Sequence, residues 1–384
     1  MPAQRSNVRV AIVGGGAIGC ATALALVERG VDVVVLERSV PGAEASSAAA
    51  GILGAQVELH EREDGGLFVR ARDAWREWAI ALREASGIDV GWRRSGVLRA
   101  AWTEEQREGL RDEVGWQSRR GMQAELVDGR RARDVEPQLA ASVIAAAYFP
   151  DDAQVDPPLV LRALIAILAR SPRATVRSGT TVQKLLVSGG RCVGVELAQG
   201  EVRADATVLA AGSWSSLVAG VPASLPPVRP VRGQIVLLEE CPARLQTIVF
   251  GGERYVVPRG DGRVVCGSTT EHVGFRKEVT AAGVHSILAG ALMCVPSLEN
   301  AQLAGTWSNF RPHVDGDRAL VGISPLPGLL VATGHYRNGI LLAKATADAV
   351  AHALLEGAQG LKSGAAGGGG GGAGGGEGDA AAGA

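Results

Sequence analysis

A strand-like run, Val8 to Val13, ends in Gly14-Gly15-Gly16-Ala17-Ile18-Gly19, and an apolar helical stretch follows from Ala17 to Glu28. A G-x-G-x-x-G held between a strand and a helix constrains the fold more than any other feature of this chain. Its first glycine makes a tight turn, its second lets backbone approach a pyrophosphate, and its third lets helix and strand pack closely. The helix N-terminus then presents unpaired N–H groups and partial positive charge to phosphates. A second apolar run, Val31 to Glu37, completes a strand-helix-strand unit. It sets Glu37, 23 residues after Gly14, where an acid accepts hydrogen bonds from a ribose. The chain therefore opens as a Rossmann-type dinucleotide-binding unit, with Gly14, Gly16, Gly19 and Glu37 as its first candidate site residues.

At roughly 150 residues per domain, the 384 residues predict two or three domains. A Gly/Ala/Ser loop, Pro41 to Gly54, leads to a helix from Leu67 to Ala85 with Phe68, Ala71, Ala74 and Trp78 on one stripe. A strand (Val97 to Ala101) and a solvated helix (Thr103 to Arg119) with a Thr103/Gln106 capping box come next. A helix from Pro157 to Arg170 follows, with two prolines in its first turn, where a missing N–H costs little. Thr175 to Arg177, Thr181 to Val187, Cys192 to Leu197 and Glu201 to Arg203 read as a meander, and Ala206 to Ala211 as a buried parallel strand. Alternating strands between Arg232 and Thr270 predict an antiparallel sheet. A helix (Thr280 to Met293), strands at Ala301 to Trp307 and Leu329 to Ala332, and a helix from about Ile340 to Leu355 complete the reading. The fold class is α/β in an α+β two-domain arrangement. Dinucleotide-binding segments return at both ends of the chain, a discontinuity that favours FAD over NAD.

Composition removes several function classes. The 39 basic and 40 acidic side chains leave a formal charge of −1, so no net field recruits nucleic acid. The five cysteines are far apart and never in a C-x-x-C pair, which argues against a disulfide framework or thiolate zinc site and for a reducing cytoplasm. The six histidines have no paired metal spacing, His60 to Asp64 reads as a solvated charged segment, and no metal is expected. G-x-S-x-G is absent. No ordered export signal or apolar span of about 18 residues is recognised. From residue 362 to 384 the chain is nearly all Gly and Ala and reads as a disordered tail.

Other motifs narrow the reading. Ser46 and Ser47 put two hydroxyls in a run of small residues, through which backbone can lie against a phosphate or flavin. Two of only three tyrosines, Tyr255 and Tyr336, fall in short distinctive motifs. Asn338-Gly339 read as the start of the last helix, whose N-terminal partial charge would stabilise negative charge on a reduced flavin. Together with Ser47 to Gly54, Ala211-Gly212-Ser213-Trp214, Pro230-Val-Arg-Gly-Gln234, Tyr255-Val-Val-Pro-Arg259 and Gly334 to Leu341, these segments resemble the D-amino-acid-oxidase superfamily of flavoproteins, in particular the glycine oxidases of the thiamine pathway. The resemblance spans residues 8 to about 356.

It implies non-covalent FAD in a discontinuous domain of residues 1–85, 141–220 and 311–361, with residues 86–140 and 221–310 forming a substrate domain on a large antiparallel sheet. Carried over position by position, Ala17, Ile18, Glu37 and Arg38 would hold the adenosine half and Val182 the adenine region. Ser46, Ser47, Ala50, Gly51 and Ile52 would meet phosphates or flavin, and Gly212 would lie against the cofactor. His335, Tyr336, Arg337, Asn338, Gly339, Ile340 and Leu341 would surround the isoalloxazine. Arg311 would clamp the substrate carboxylate, a planar bidentate match that lysine does not reproduce, with Tyr255 and Arg337 beside it. The implied reaction is oxidative deamination of glycine and related small amino acids, with O₂ as acceptor. Its products are the imine or glyoxylate, ammonia and hydrogen peroxide, with a thiazole synthase as possible partner and a homo-oligomer as possible assembly. A D-amino-acid dehydrogenase with another acceptor and a drifted flavin-binding protein are the alternatives. Three departures fall near the site: a loop one residue shorter after Arg311, Lys344 where the family commonly has proline, and Thr270 and Glu253 in place of other pocket residues.

Overall fold

The computed structural model of the chain describes residues 8–59, 65–242 and 244–364. Its first large sheet has six strands in the order Leu320–Ile323, Leu329–Thr333, Ala206–Leu209, Arg9–Val13, Asp32–Leu36 and Ala174–Arg177. All neighbours run parallel except the first pair. Parallel strands are covered on both faces, so their side chains are apolar without alternation. Val10, Ile12, Val33 and Val35 face helices Ala17–Glu28 and Pro157–Arg170. Ala11, Val13, Val34 and Leu36 face a three-stranded antiparallel sheet, Val182–Ser188, Arg191–Leu197 and Glu201–Arg203.

The second sheet has eight strands in the order Gln302–His313, Arg229–Glu239, Val264–Gly267, Arg254–Pro258, Ile248–Gly251, Val97–Ala101, Ala145–Phe149 and Glu125–Asp128. It is antiparallel except where Ile248–Gly251 meets Val97–Ala101. Helix Ala281–Cys294 buries Ile287, Ala291 and Cys294 against one face, and the other turns toward the first sheet. No helix among the described residues is long and apolar enough to cross a membrane.

Several sequence expectations change. Ala174–Arg177 leaves the expected meander and pairs in parallel with Asp32–Leu36, because helix Pro157–Arg170 returns the chain to that edge. Ala145–Phe149, which a boundary at 141 grouped with the dinucleotide-binding segment, pairs within the eight-stranded sheet. In helix Gly65–Ser86 the buried stripe is Ala71, Trp75, Trp78, Ala79 and Leu82, and Ala74 is exposed. The pattern slips by one position because Trp75 gains far more from burial than alanine, and its indole N–H donates to Leu341 O at 3.0 Å. The Thr103/Gln106 capping box forms in both directions. The last helix runs from Ala343 to Gly364, past Leu355 and into the stretch read as tail. Residues 365–384 and His60 to Asp64 lie outside the described residues.

Helix-to-strand contact at the glycine motif sets the geometry of the first unit. A Cβ on Gly19 would stand 2.0 Å from the Gly14 carbonyl oxygen, a backbone atom with nowhere to go. Gly19→Ala should therefore destabilise the protein by about 2 to 3 kcal/mol through overpacking. In contrast, Gly109 lies exposed inside helix Glu104–Arg119 with nothing near its missing Cβ. Gly109→Ala should stabilise by about 0.5 to 1 kcal/mol. Urea midpoints of the two variants should move in opposite directions from the parent.

Candidate active site

A cavity of about 610 Å³ opens outside the carboxyl ends of the central parallel strands, with the second sheet closing its far side. That is where open α/β sheets bind ligands, and the volume is ordinary for a ligand pocket. Gly14 takes a φ of +106°, and a Cβ there would meet Ala210 O at 2.4 Å. Glu37 is buried. Its Oε2 accepts from Gly15 N at 2.8 Å and its Oε1 from Ser39 N at 2.9 Å, leaving each oxygen a lone pair for a ribose hydroxyl. Ser46 Oγ accepts from Ala17 N at 2.9 Å, which puts a hydroxyl at the mouth of the helix. The Arg38 guanidinium stacks on the Trp214 ring at 3.8 Å and pairs with Glu44.

Gly16, Ala17, Ile18, Ala50, Gly51, Ile52, Val182 and Gly212 also lie on the cavity wall. Gly51, at φ +73°, leaves no room for a Cβ, which would stand 2.1 Å from Val155 O. The glycine cradle, the helix N-terminus and an acid at the end of the second strand fit the phosphates and ribose of a dinucleotide. Four expected wall residues are elsewhere, the first being Gly19, which packs against the Gly14 carbonyl. Ser47 turns its amide to Gly42 O, Asn338 bridges a turn between His335 and Leu342, and Leu341 is buried with its carbonyl on Trp75.

The far half is built on the second sheet. Arg311 was expected beyond a strand ending at Trp307, but the strand continues to His313, because its pairing with Arg229–Glu239 holds through that point. Arg311 Nη1 donates to Thr269 O at 3.1 Å and Nη2 to Ser268 Oγ at 2.6 Å. Among the described residues, no carboxylate lies within ion-pair distance of it. Burial lowers its pKa, yet an arginine stays charged. Tyr255 is buried beside it, and burial raises the phenol pKa, keeping a neutral O–H.

Arg337 Nη1 lies 3.5 Å from Glu58 Oε1, and its Nη2 donates to Thr270 Oγ1 at 2.9 Å. Burial disfavours its charge, but Glu58 and Tyr336 outweigh that and raise its pKa. Tyr336 sits at φ +49° with its amide on Pro312 O at 2.9 Å, and its ring meets that of His313 at 4.9 Å between centroids. His335 is buried against Thr346 Oγ1 at 2.9 Å, and burial pushes its pKa down from 6.5 to about 4. At neutral pH it carries no charge. Ile340 and Gly339 reach the wall, but the last helix begins at Ala343, because residues 336–342 wind through turns first.

The departures fall into place. The loop after Arg311, read from sequence as one residue short, closes on itself through Asp317 N to Val314 O at 3.0 Å and is tied to Arg229 by Asp315 at 2.7 Å. Lys344 pairs with Asp348 on the last helix and is not part of the wall. Glu253 is exposed, whereas Thr270 holds Arg337. Sequence reasoning missed Glu58, which no local pattern marks. Asp152 positions it: its buried carboxylate accepts from Gln56 N at 3.2 Å and Val57 N at 3.0 Å and meets Arg72 at 3.3 Å, with burial raising its pKa to about 6.

Comparison with known proteins agrees with this geometry. A family model described as FAD dependent oxidoreductase (DAO) matches residues 9–353. Glycine oxidase of Geobacillus kaustophilus is 37% identical over 347 residues, 89% of this chain and 91% of that protein. The bifunctional protein ThiO/ThiG of Nostoc sp. is 34% identical over 354 residues, 90% of this chain but 52% of that protein, so the chain spans about half the length of such relatives. The crystal structure of glycine oxidase from Bacillus cereus superposes with a TM-score of 0.86 at 33% identity, covering 92% of this chain and 96% of that one. With the match running through nearly all of the described residues, and a cradle shaped for a dinucleotide at its centre, the chain belongs to the FAD dependent oxidoreductase family.

Proposed function

We propose that the protein oxidises glycine and related small amino acids, with FAD held non-covalently and O₂ as final acceptor. The observation that carries this reading is the Arg311 guanidinium, which faces the cavity with only neutral acceptors, Ser268 and Thr269, beside it. Glu58 offsets Arg337. The three charged groups Arg311, Arg337 and Glu58 therefore sum to one positive charge, the complement of a single carboxylate. The neutral His335 adds none. Relatives of 37% and 31% identity that carry the name glycine oxidase support the substrate class.

The chain's own groups bind and orient. Gly14, Gly16, Ala17, Ile18, Ser46 and Glu37 would hold the phosphates and ribose, while Tyr336, Arg337, Gly339 and Ile340 line the ring end of the cavity. FAD, when bound, supplies the two-electron acceptor. Arg311 takes the substrate carboxylate on its free N–H edge, Tyr255 adds its phenolic O–H, and the two fix the direction of the amine-bearing carbon. For glycine, one substrate, one O₂ and one water give glyoxylate, ammonia and hydrogen peroxide. The bifunctional relatives support a second fate, in which the imine passes to a thiazole synthase before water reaches it. Five free cysteines, four of them buried, support a reducing cytoplasm as the compartment.

Purified protein should be yellow, and acid precipitation should release FAD into the supernatant. Colour kept in the pellet would show a covalent link instead. Arg311→Ala removes a charge-assisted bidentate contact worth about 2 to 5 kcal/mol when broken. At about 1.4 kcal/mol per tenfold, kcat/KM for glycine should fall by roughly two to three orders of magnitude while flavin content is kept. Turnover within about threefold of the parent would remove Arg311 from the site and leave Arg337 as the next clamp candidate.

A further inference from the structure

Across the strands Arg229–Glu239 and Gln302–His313, Val231 pairs with Arg311 and Gly233 with Asn309. Alternation then places Val231, Gly233 and Ile235 on the sheet face that carries the Arg311 side chain. A Cβ built on Gly233 would stand 2.5 Å from Nη1, 2.5 Å from Nη2 and 2.6 Å from Cζ of Arg311. Nearly equal distances to three atoms of one plane mean that the guanidinium lies flat over the Gly233 backbone. Lying flat, it points its N–H edges sideways: one edge meets Ser268 Oγ and Thr269 O, and another is left to the cavity. We infer that Gly233 is a positioning residue that seats the Arg311 guanidinium for the substrate carboxylate, an inference that rests on the clamp reading above.

Carbon atoms in ordinary contact sit about 3.5 to 4.0 Å apart, so a methyl group at 233 lifts the plane by about 1 Å. The backbone is not asked to move, since Gly233 is not among the positive-φ glycines and the colliding atoms are the far end of a flexible side chain. Lifting the plane tilts the free edge and stretches the bonds to Ser268 and Thr269. The same sheet face repeats the device at Gly267, where a Cβ would stand 2.4 Å from Cζ and Oη of Tyr255. Planar heads of both carboxylate-binding residues therefore lie in gaps that only glycine leaves.

The test uses FAD-loaded Gly233→Ala, with Arg311→Ala and the double variant beside it. Glycolate, which has the carboxylate and no amine, is titrated against the flavin absorbance. Loss of one well-aligned hydrogen bond to a charged group weakens binding by about tenfold, so Gly233→Ala should raise the glycolate Kd about tenfold with flavin content unchanged. In the Arg311→Ala background the same substitution should change neither Kd nor Tm, because the guanidinium it displaces is absent. A glycolate Kd within about twofold of the parent in Gly233→Ala, with Arg311→Ala impaired, overturns the role of Gly233 alone. Unimpaired glycolate binding in Arg311→Ala overturns the clamp reading, and this inference with it. If Gly233→Ala does not fold, recovery of flavin-loaded protein in the double variant supports the seat, and failure to recover overturns it.

Discussion

Contact between the Gly19 Cα and the Gly14 carbonyl draws the first helix onto the first strand so tightly that no side chain fits between them. Everything in the cofactor half of the cavity depends on that closeness. It points the helix N-terminus into the space beyond the strand ends, where Ser46 occupies the Ala17 amide and Glu37 holds the Gly15 amide. Glu37 thus fixes the glycine loop and still keeps lone pairs free on its carboxylate, which a ribose hydroxyl could use. The glycine loop is held in place by the Gly14, Gly15 and Ala17 amides, which are engaged by Leu36 O, Glu37 and Ser46, and a preformed loop has less ordering entropy to lose when a ligand arrives.

The second sheet meets this cradle with a different kind of surface. Its cavity face is not a continuous apolar layer, because gaps at 233 and 267 are filled by the laid-down heads of Arg311 and Tyr255. Both heads are anchored to the same short segment, Ser268 and Thr269, which are themselves nearly inaccessible. Arg337 enters from the opposite side on the turn after the last parallel strand and is held by Thr270 and Glu58. Three successive residues, 268 to 270, therefore set both guanidinium groups, so relative motion of the two halves would be felt at both.

Much of this was legible in residue order, for identifiable reasons. The strand-glycine-helix unit could be read because backbone sterics demand glycine at 14 and 19, and steric demands leave a pattern of residue type. Parallel strands such as Ala206–Leu209 were legible because burial on both faces makes them uniformly apolar. The partner of Ala174–Arg177 was not, since a four-residue strand holds no record of which edge a preceding helix carries it to. Arg311 and Tyr255 could be named only through resemblance to a family, as an isolated arginine in a strand gives no sign of facing a cavity. Glu58 escaped altogether. Its place depends on Asp152, 94 residues later, holding the two preceding amides, and a contact of that span has no local signature.

If Arg311 is the carboxylate clamp proposed above, the electrostatics of its surroundings explain why it would be built with a deficit. A guanidinium buried beside only a hydroxyl and a carbonyl pays a desolvation cost that an internal carboxylate would have relieved. Arg337 has been given such a partner in Glu58; Arg311 has not. Pairing both would leave the pocket neutral, and a substrate carboxylate would then have to displace an internal ion pair before it could bind. Pairing neither would put two like charges in one cavity, each lowering the other's affinity for its proton and favouring a dianion. Satisfying one guanidinium and leaving the other half-served would, on the proposed reading, suit the pocket to a single negative charge. On the proposed clamp reading, the stability forgone at Arg311 would be recovered as binding when a carboxylate arrives, and selectivity would lie in the charge pattern of the pocket rather than in the size of the cavity.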